Sequence, residues 1–245
     1  LSTGVPEHHI IQNLFEPLFG YDPKTAEPVP GVAESWKVSS DGKVYTFKIR
    51  KEAKWSNGEP LTAHDFVYSW RRLLKPETAA EYAYQGYYLV NGKEFNTGVI
   101  QDPSKIGVKA IDDHTLQATL VNPTPFFIRL CTHHSLMPVP QKVIEKHGIA
   151  WTRPENIVSN GAFLLSKWQT NKIITLKPNP HYWERAIVRL KEVHYYPIEN
   201  LDTEEKMFRS GKLEVTNEIP QDKLPTWQKD KTRSEERRVG KECLR

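Results

Sequence analysis

Between residues 31 and 74 the apolar spacing switches from a period of two to a period of about 3.6, the mark of a strand followed by a helix. Val44–Arg50 alternates, with Tyr45, Phe47 and Ile49 on one face and Thr46, Lys48 and Arg50 on the other. This predicts a half-buried strand. Ser39-Ser40-Asp41-Gly42 turns the chain before it, and Ser56-Asn57-Gly58 turns it after Trp55. Thr62-Ala63-His64-Asp65 then forms a capping box, whose hydroxyl and carboxylate can satisfy the free N–H groups of a helix start. The helix that follows carries Phe66, Val67, Trp70, Leu73 and Leu74 on one face and ends near Lys75-Pro76. A one-sided strand beside a one-sided helix calls for a layered fold of sheet and helix.

The mixture continues along the chain. Ile10, Ile11, Leu14, Phe15 and Leu18 give residues 7–19 a helical stripe, closed by the turn signal Gly20-Tyr21-Asp22-Pro23. Pro28 and Pro30 point to irregular chain. Residues 107–120 read as a hairpin turning at Asp112-Asp113-His114. Asn122-Pro123-Thr124-Pro125 caps a short aromatic helix over 125–131, and Pro138-Val139-Pro140 is stiff and extended, suited to an inter-domain crossing. Residues 141–147 and 203–209 read as helices. Residues 173–176, 192–196 and 213–216 read as strands. The fold class is α/β in the broad sense, a mixed α+β arrangement.

Composition excludes several functions. Thirty-four basic residues face thirty acidic ones for a net charge of +4, interspersed and without a basic stripe, so no nucleic-acid partner is expected. No apolar run reaches membrane-spanning length. Two cysteines, Cys131 and Cys243, make no disulfide framework, and Cys131 suits a small buried site. Residues 233–245 are dense in charge and lack an apolar period. The string resembles the in-frame translation of a common sequencing adapter, and we expect it to be a non-native tail. It holds five basic and three acidic residues, so without it the net charge of +4 becomes +2.

Several strings resemble the family-5 solute-binding proteins, the dipeptide, oligopeptide and nickel receptors of bacterial ABC importers. They are Gly31-Val-Ala-Glu-Ser-Trp36, Asp41-Gly42, Tyr45-Thr-Phe47-Lys-Ile-Arg50, Ala53-Lys-Trp55-Ser-Asn-Gly58 and Leu61-Thr-Ala-His-Asp-Phe66-Val-Tyr-Ser-Trp70. Further matches are Gly107–Leu116, Pro138-Val-Pro140, Ile157-Val-Ser-Asn-Gly-Ala162, Pro180-His-Tyr-Trp183 and Arg209-Ser-Gly211. The likeness covers 1–232 and is nearest to the oligopeptide and murein-peptide receptors. It implies a two-lobed, type II periplasmic-binding-protein-like fold, here incomplete. Residues 1–15 and 141–232 would form two pieces of a split domain I, and 16–140 an intact domain II. Members carry a secretion signal or lipid anchor upstream, which places them in the periplasm or on the outer face of the cytoplasmic membrane.

The motif block itself reads as structure. Trp36, Phe47, Trp55 and Trp70 are expected in the core, and Gly42 and Gly58 at positive φ in turns. The ligand contacts come from the resemblance. Thr3-Gly4-Val5 matches the segment that lies along an extended peptide, with Thr3 standing where oligopeptide receptors commonly have an acidic residue. Tyr82 matches a cleft tyrosine, though it reads equally well as a packed tyrosine. His133 and Asn217 match positions near the side-chain pockets. The implied partners are an oligopeptide and the permease subunits of an importer, with the protein acting as a monomer. No cofactor, metal or catalytic residue is expected. His133-His134 near Cys131 could suggest a metal or thiol site, but neighbours on a strand face opposite ways, and no HExxH, CxxC, GxSxG or P-loop occurs. The alternatives are a receptor of the same fold for murein tripeptide, dipeptide, nickel or heme, and a partner-interaction domain that binds no small molecule.

Overall fold

The expected strand and helix of residues 44–74 both form, and the helix lies against the sheet that contains the strand. The computed structural model describes residues 4–229, so the tail expected at 233–245, Cys243 and Thr3 lie outside the described residues. The element order begins α1 (Val5–Leu14), β1 (Phe19–Tyr21), β2 (Pro28–Pro30), β3 (Ala33–Val38), β4 (Val44–Ile49) and α2 (Ala63–Leu74). It continues α3 (Gly92–Asn96), β5 (Val108–Asp112), β6 (Thr115–Thr119), α4 (Phe127–Leu130) and α5 (Gln141–His147). It ends with β7 (Phe163–Gln169), β8 (Ile173–Pro178), β9 (Val193–Tyr195), α6 (Leu201–Arg209) and α7 (Leu224–Lys229).

The chain divides into two compact units, Leu1–Leu165 with Pro178–Arg185, and Ser166–Lys177 with Ala186–Arg245. In the first, four strands are ordered β3-β4-β6-β5 and all neighbours are antiparallel. The alternating face of β4 buries Tyr45, Phe47 and Ile49, and Leu116 and Ala118 of β6 bury beside them. α2 presents Phe66, Trp70 and Leu74 to the same core. The second unit pairs β8 with β9 antiparallel and holds α6 and α7. There Lys223 bridges Asp202 and Glu205, and Glu205 also binds Arg209 one turn along.

The capping box closes as the sequence requires. Asp65 Oδ2 accepts from the Thr62 backbone N–H at 2.7 Å and lies 3.1 Å from the Thr62 hydroxyl. Burial raises the Asp65 pKa, although the Thr62 bonds pull it down. Thr62→Ala is expected to cost about 1 kcal/mol, and a urea melt with an unchanged midpoint would refute the cap.

Gly42 and Gly58 take φ of 69° and 87°, the left-handed turns expected of them. Phe47, Trp55 and Trp70 are buried, but Trp36 is 41% exposed. It lies on the edge strand β3, where its ring meets Phe19 edge-on at 5.1 Å and otherwise faces outward in part. α1 stops at Leu14, and Phe19–Tyr21 pairs with Pro28–Pro30 as a two-stranded ribbon where a turn and irregular chain were expected. Both prolines sit in a strand with a single neighbour, where a missing N–H costs no central ladder bond. Residues 213–216 form no strand; they follow the left-handed Gly211 as irregular chain. No described helix is long and apolar enough to cross a membrane.

Candidate ligand-binding face

Helix α1 begins at the segment expected to run beside a ligand. Gly4 is extended (φ −83°, ψ 154°) and Pro6 lies in the first turn, where a missing N–H costs nothing. The Glu7 carboxylate folds back beneath Gly4, so a Cβ at position 4 would collide with it. Val5 projects outward, 68% exposed.

Two further expected contacts meet each other. The Tyr82 ring lies edge-on to His133, 5.0 Å between centroids, and edge-on to His134 at 5.3 Å. His134 reaches α1, with its Nδ1 3.0 Å from Nδ1 of His8. Tyr82, His133 and the first turns of α1 therefore belong to one half-buried surface in the first unit. Asn217 lies in the second unit, exposed, with its backbone N–H donating to Glu204 at 2.8 Å.

The expectation that His133 and His134 face opposite ways is corrected. They stand at the start of a tight 3₁₀ turn, His134–Leu136, not on a strand. The turn sets their rings side by side, 4.3 Å apart. His133 Nδ1 accepts from the Ser135 backbone N–H at 3.2 Å, so its neutral form carries the proton on Nε2. Burial, then the neighbouring His134 and His8, hold its pKa down to about 4. His8 is lowered for the same reasons, burial first, then His134 and His9. Among the described residues, no group of three or more His, Cys, Asp or Glu side chains is placed to hold a metal. Cys131 is buried, and burial pushes its thiol pKa far up. That suppresses the thiolate on which nucleophilic chemistry depends.

A second cluster was not anticipated. Glu16 Oε1 accepts from the Tyr182 hydroxyl at 2.6 Å, and Oε2 accepts from Trp183 Nε1 at 2.6 Å. Its backbone exchanges two bonds with the Asn160 amide, at 3.1 and 2.9 Å. Arg50 lies over the Trp183 ring, 4.0 Å from its centroid, and donates from Nε to Gly31 O at 2.7 Å. Desolvation raises the Glu16 pKa to about 7, more than the two hydrogen bonds lower it. The sequence signal was an acidic residue inside the apolar run Leu14-Phe15-Glu16-Pro17-Leu18-Phe19. The cluster joins four strings quoted above for the family likeness, so those strings are fixed by packing.

Tyr82, His133 and His134 thus make a half-open aromatic and imidazole surface in a fold of mixed helix and sheet. The family model for bacterial extracellular solute-binding proteins, family 5 (middle), matches residues 27–242, and the chain belongs to that family. It is 46% identical to the periplasmic oligopeptide-binding protein OppA of Salmonella typhimurium over 220 residues, 89% of this chain and 40% of the relative. It is 36% identical to the periplasmic murein peptide-binding protein MppA of Escherichia coli over 230 residues, 94% of this chain and 42% of the relative. Among solved structures, Haemophilus influenzae OppA in complex with RPPGFSPFR superposes with a TM-score of 0.88 at 39% identity, covering 94% of this chain and 45% of that one. The Escherichia coli murein tripeptide-binding protein MppA gives a TM-score of 0.90 at 36% identity, covering 94% and 45%. The chain thus spans less than half the length of these relatives.

Proposed function

We propose that this chain forms one wall of an extracytoplasmic receptor that captures oligopeptides and delivers them to an ABC importer. The observation that carries the reading is the close superposition on an oligopeptide receptor with a nonapeptide bound, together with the grouping of Tyr82 and His133 beside the start of α1. An extended guest would lie along Thr3-Gly4-Val5, where Gly4 permits close main-chain approach. Main-chain pairing gives affinity without reading sequence, and water in half-open pockets adapts to different side chains. Tyr82 and His133 would line those pockets, and Asn217 is a candidate contact of the second unit taken by itself. Residues 1–15 with 141–232 would be two pieces of a split domain I and 16–140 an intact domain II, together forming one side of a cleft that closes by a hinge motion the ligand selects. The receptor would act as a monomer in the periplasm or on the outer face of the cytoplasmic membrane, meeting the permease subunits when closed and needing no cofactor.

The likeness to MppA favours a murein tripeptide as the second reading. The full-length gene product is expected to melt higher with tri- to pentapeptides, because a ligand bound only by the folded state stabilises it, by about 2.7 kcal/mol at a hundredfold excess over Kd. A shift with murein tripeptide alone would move the assignment to the second reading. A shift only with nickel, heme or nothing would remove both.

A further inference from the structure

Two histidines that no expected contact includes, His8 and His134, complete the patch that holds Tyr82 and His133. They come from segments 126 residues apart. Their rings lie edge-on, 5.0 Å between centroids, and His134 also lies beside His133. The titratable groups set around them are His9 and Glu7 on α1, His133 on the 3₁₀ turn, Cys131 just before it, and Glu81, Tyr82 and Tyr84 on the facing segment. The Glu7 carboxylate is turned under Gly4, and the buried Cys131 thiol stays protonated. The charges that bear on His8 are those of His134 and His9, and those on His133 are His134 and His8. Every one of these is an imidazole. Imidazoles placed so close resist taking up protons together, and a carboxylate placed beside them opposes that resistance.

We propose that His8 and His134, beside His133, form a proton-gated acceptor for an acidic side chain of the bound peptide, so that preference shifts toward Asp- and Glu-containing peptides as pH falls. The inference rests on the peptide-binding reading. The geometry supplies its elements: Nδ1 atoms of two rings in contact, a third ring tilted alongside at 4.3 Å, and a half-buried position on the helix that carries the exposed Val5. An ionised guest carboxylate raises the proton affinity of the cluster. By reciprocity, each proton taken up strengthens the guest's binding.

The test is calorimetry on the full-length protein with peptides that shift its melting temperature, each compared as a Gln form and a Glu form. Between about pH 7.5 and about pH 5.5 the Glu form stays ionised while histidine titrates. The Glu-over-Gln affinity ratio is expected to rise about tenfold over that interval, as one new charge pair at partly screened distance provides. Binding of the Glu form should take up protons that the Gln form does not, seen as a dependence of heat on buffer ionisation. The double variant His8→Asn, His134→Asn should show a flat ratio. A flat ratio in the native protein, or a rise that persists in the variant, overturns the proposal. Should the variant fail to fold, proton uptake in the native protein decides: equal uptake for both forms refutes the selector. If no peptide shifts the melting temperature, the peptide reading has failed and the selector with it; peptide binding with a pH-independent ratio removes only the selector.

Discussion

Replacing Trp70 with alanine is expected to lower the unfolding free energy by about 3–5 kcal/mol, the cost of emptying a large buried aromatic site. Trp70 is 1% exposed and meets Phe127 edge-on, 6.3 Å between centroids. Its Nε1 donates to Leu136 O at 2.9 Å in the interior. The deletion therefore leaves a cavity and strands a buried carbonyl. Trp70→Phe keeps one six-membered ring and loses the donor together with the pyrrole carbons, so it should fall short of the alanine variant, at a cost of about 1–3 kcal/mol. Leu136 closes the turn that begins at His134, so either change should also loosen the histidine patch and weaken ligand binding. Urea melts that place Trp70→Ala within about 1 kcal/mol of the native protein, well under the cost of such a cavity, would contradict the packing.

Glu16 should make the protein less stable as pH rises. Its folded pKa stands near 7 against an ordinary 4.5. Below 4.5 the carboxyl is neutral in both states and no penalty arises. Between the two values the folded state holds a proton that the unfolded state has released, so stability falls with pH by about 1.4 kcal/mol per unit. Above about pH 7 the loss levels off near 3 kcal/mol. Glu16→Gln cannot ionise, and its amide can still pair with the Tyr182 hydroxyl and Trp183 Nε1. The variant is therefore expected to gain on the native protein by about 3 kcal/mol between pH 4.5 and 8. Parallel melts across that range check it, and a constant gap would show that the carboxylate is well solvated.

The layered core was legible because its signals are local. Alternation fixed β4, a four-residue cap fixed the start of α2, and a turn between two alternating runs fixed β5 and β6. The failures are where distant contacts override local preference. Pro28 and Pro30 argue against a strand until β1 is known to lie on one side only. Trp36 looks like core until its strand proves to be an edge. The candidate face was half legible. Tyr82 and His133 came from the family likeness, and the structure brings them together. His8 and His134 could not be paired from sequence, because nothing in residues 4–14 shows which turn will arrive beside them. Glu16 was visible as a charge in an apolar run, yet its partners Asn160 and Tyr182 sit 144 and 166 residues downstream.

The bonds between Glu16 and Asn160, and between Leu14 O and the Gly161 N–H at 2.8 Å, close a loop of most of the first unit. During synthesis, Leu14 and Glu16 lack these partners until residues 160 and 161 have emerged. Helix α1 is short and short helices are marginal alone. The segment around α1 is thus secured late in this unit, and a stall before residue 160 would leave the join between α1 and the sheet unfastened and accessible to proteases.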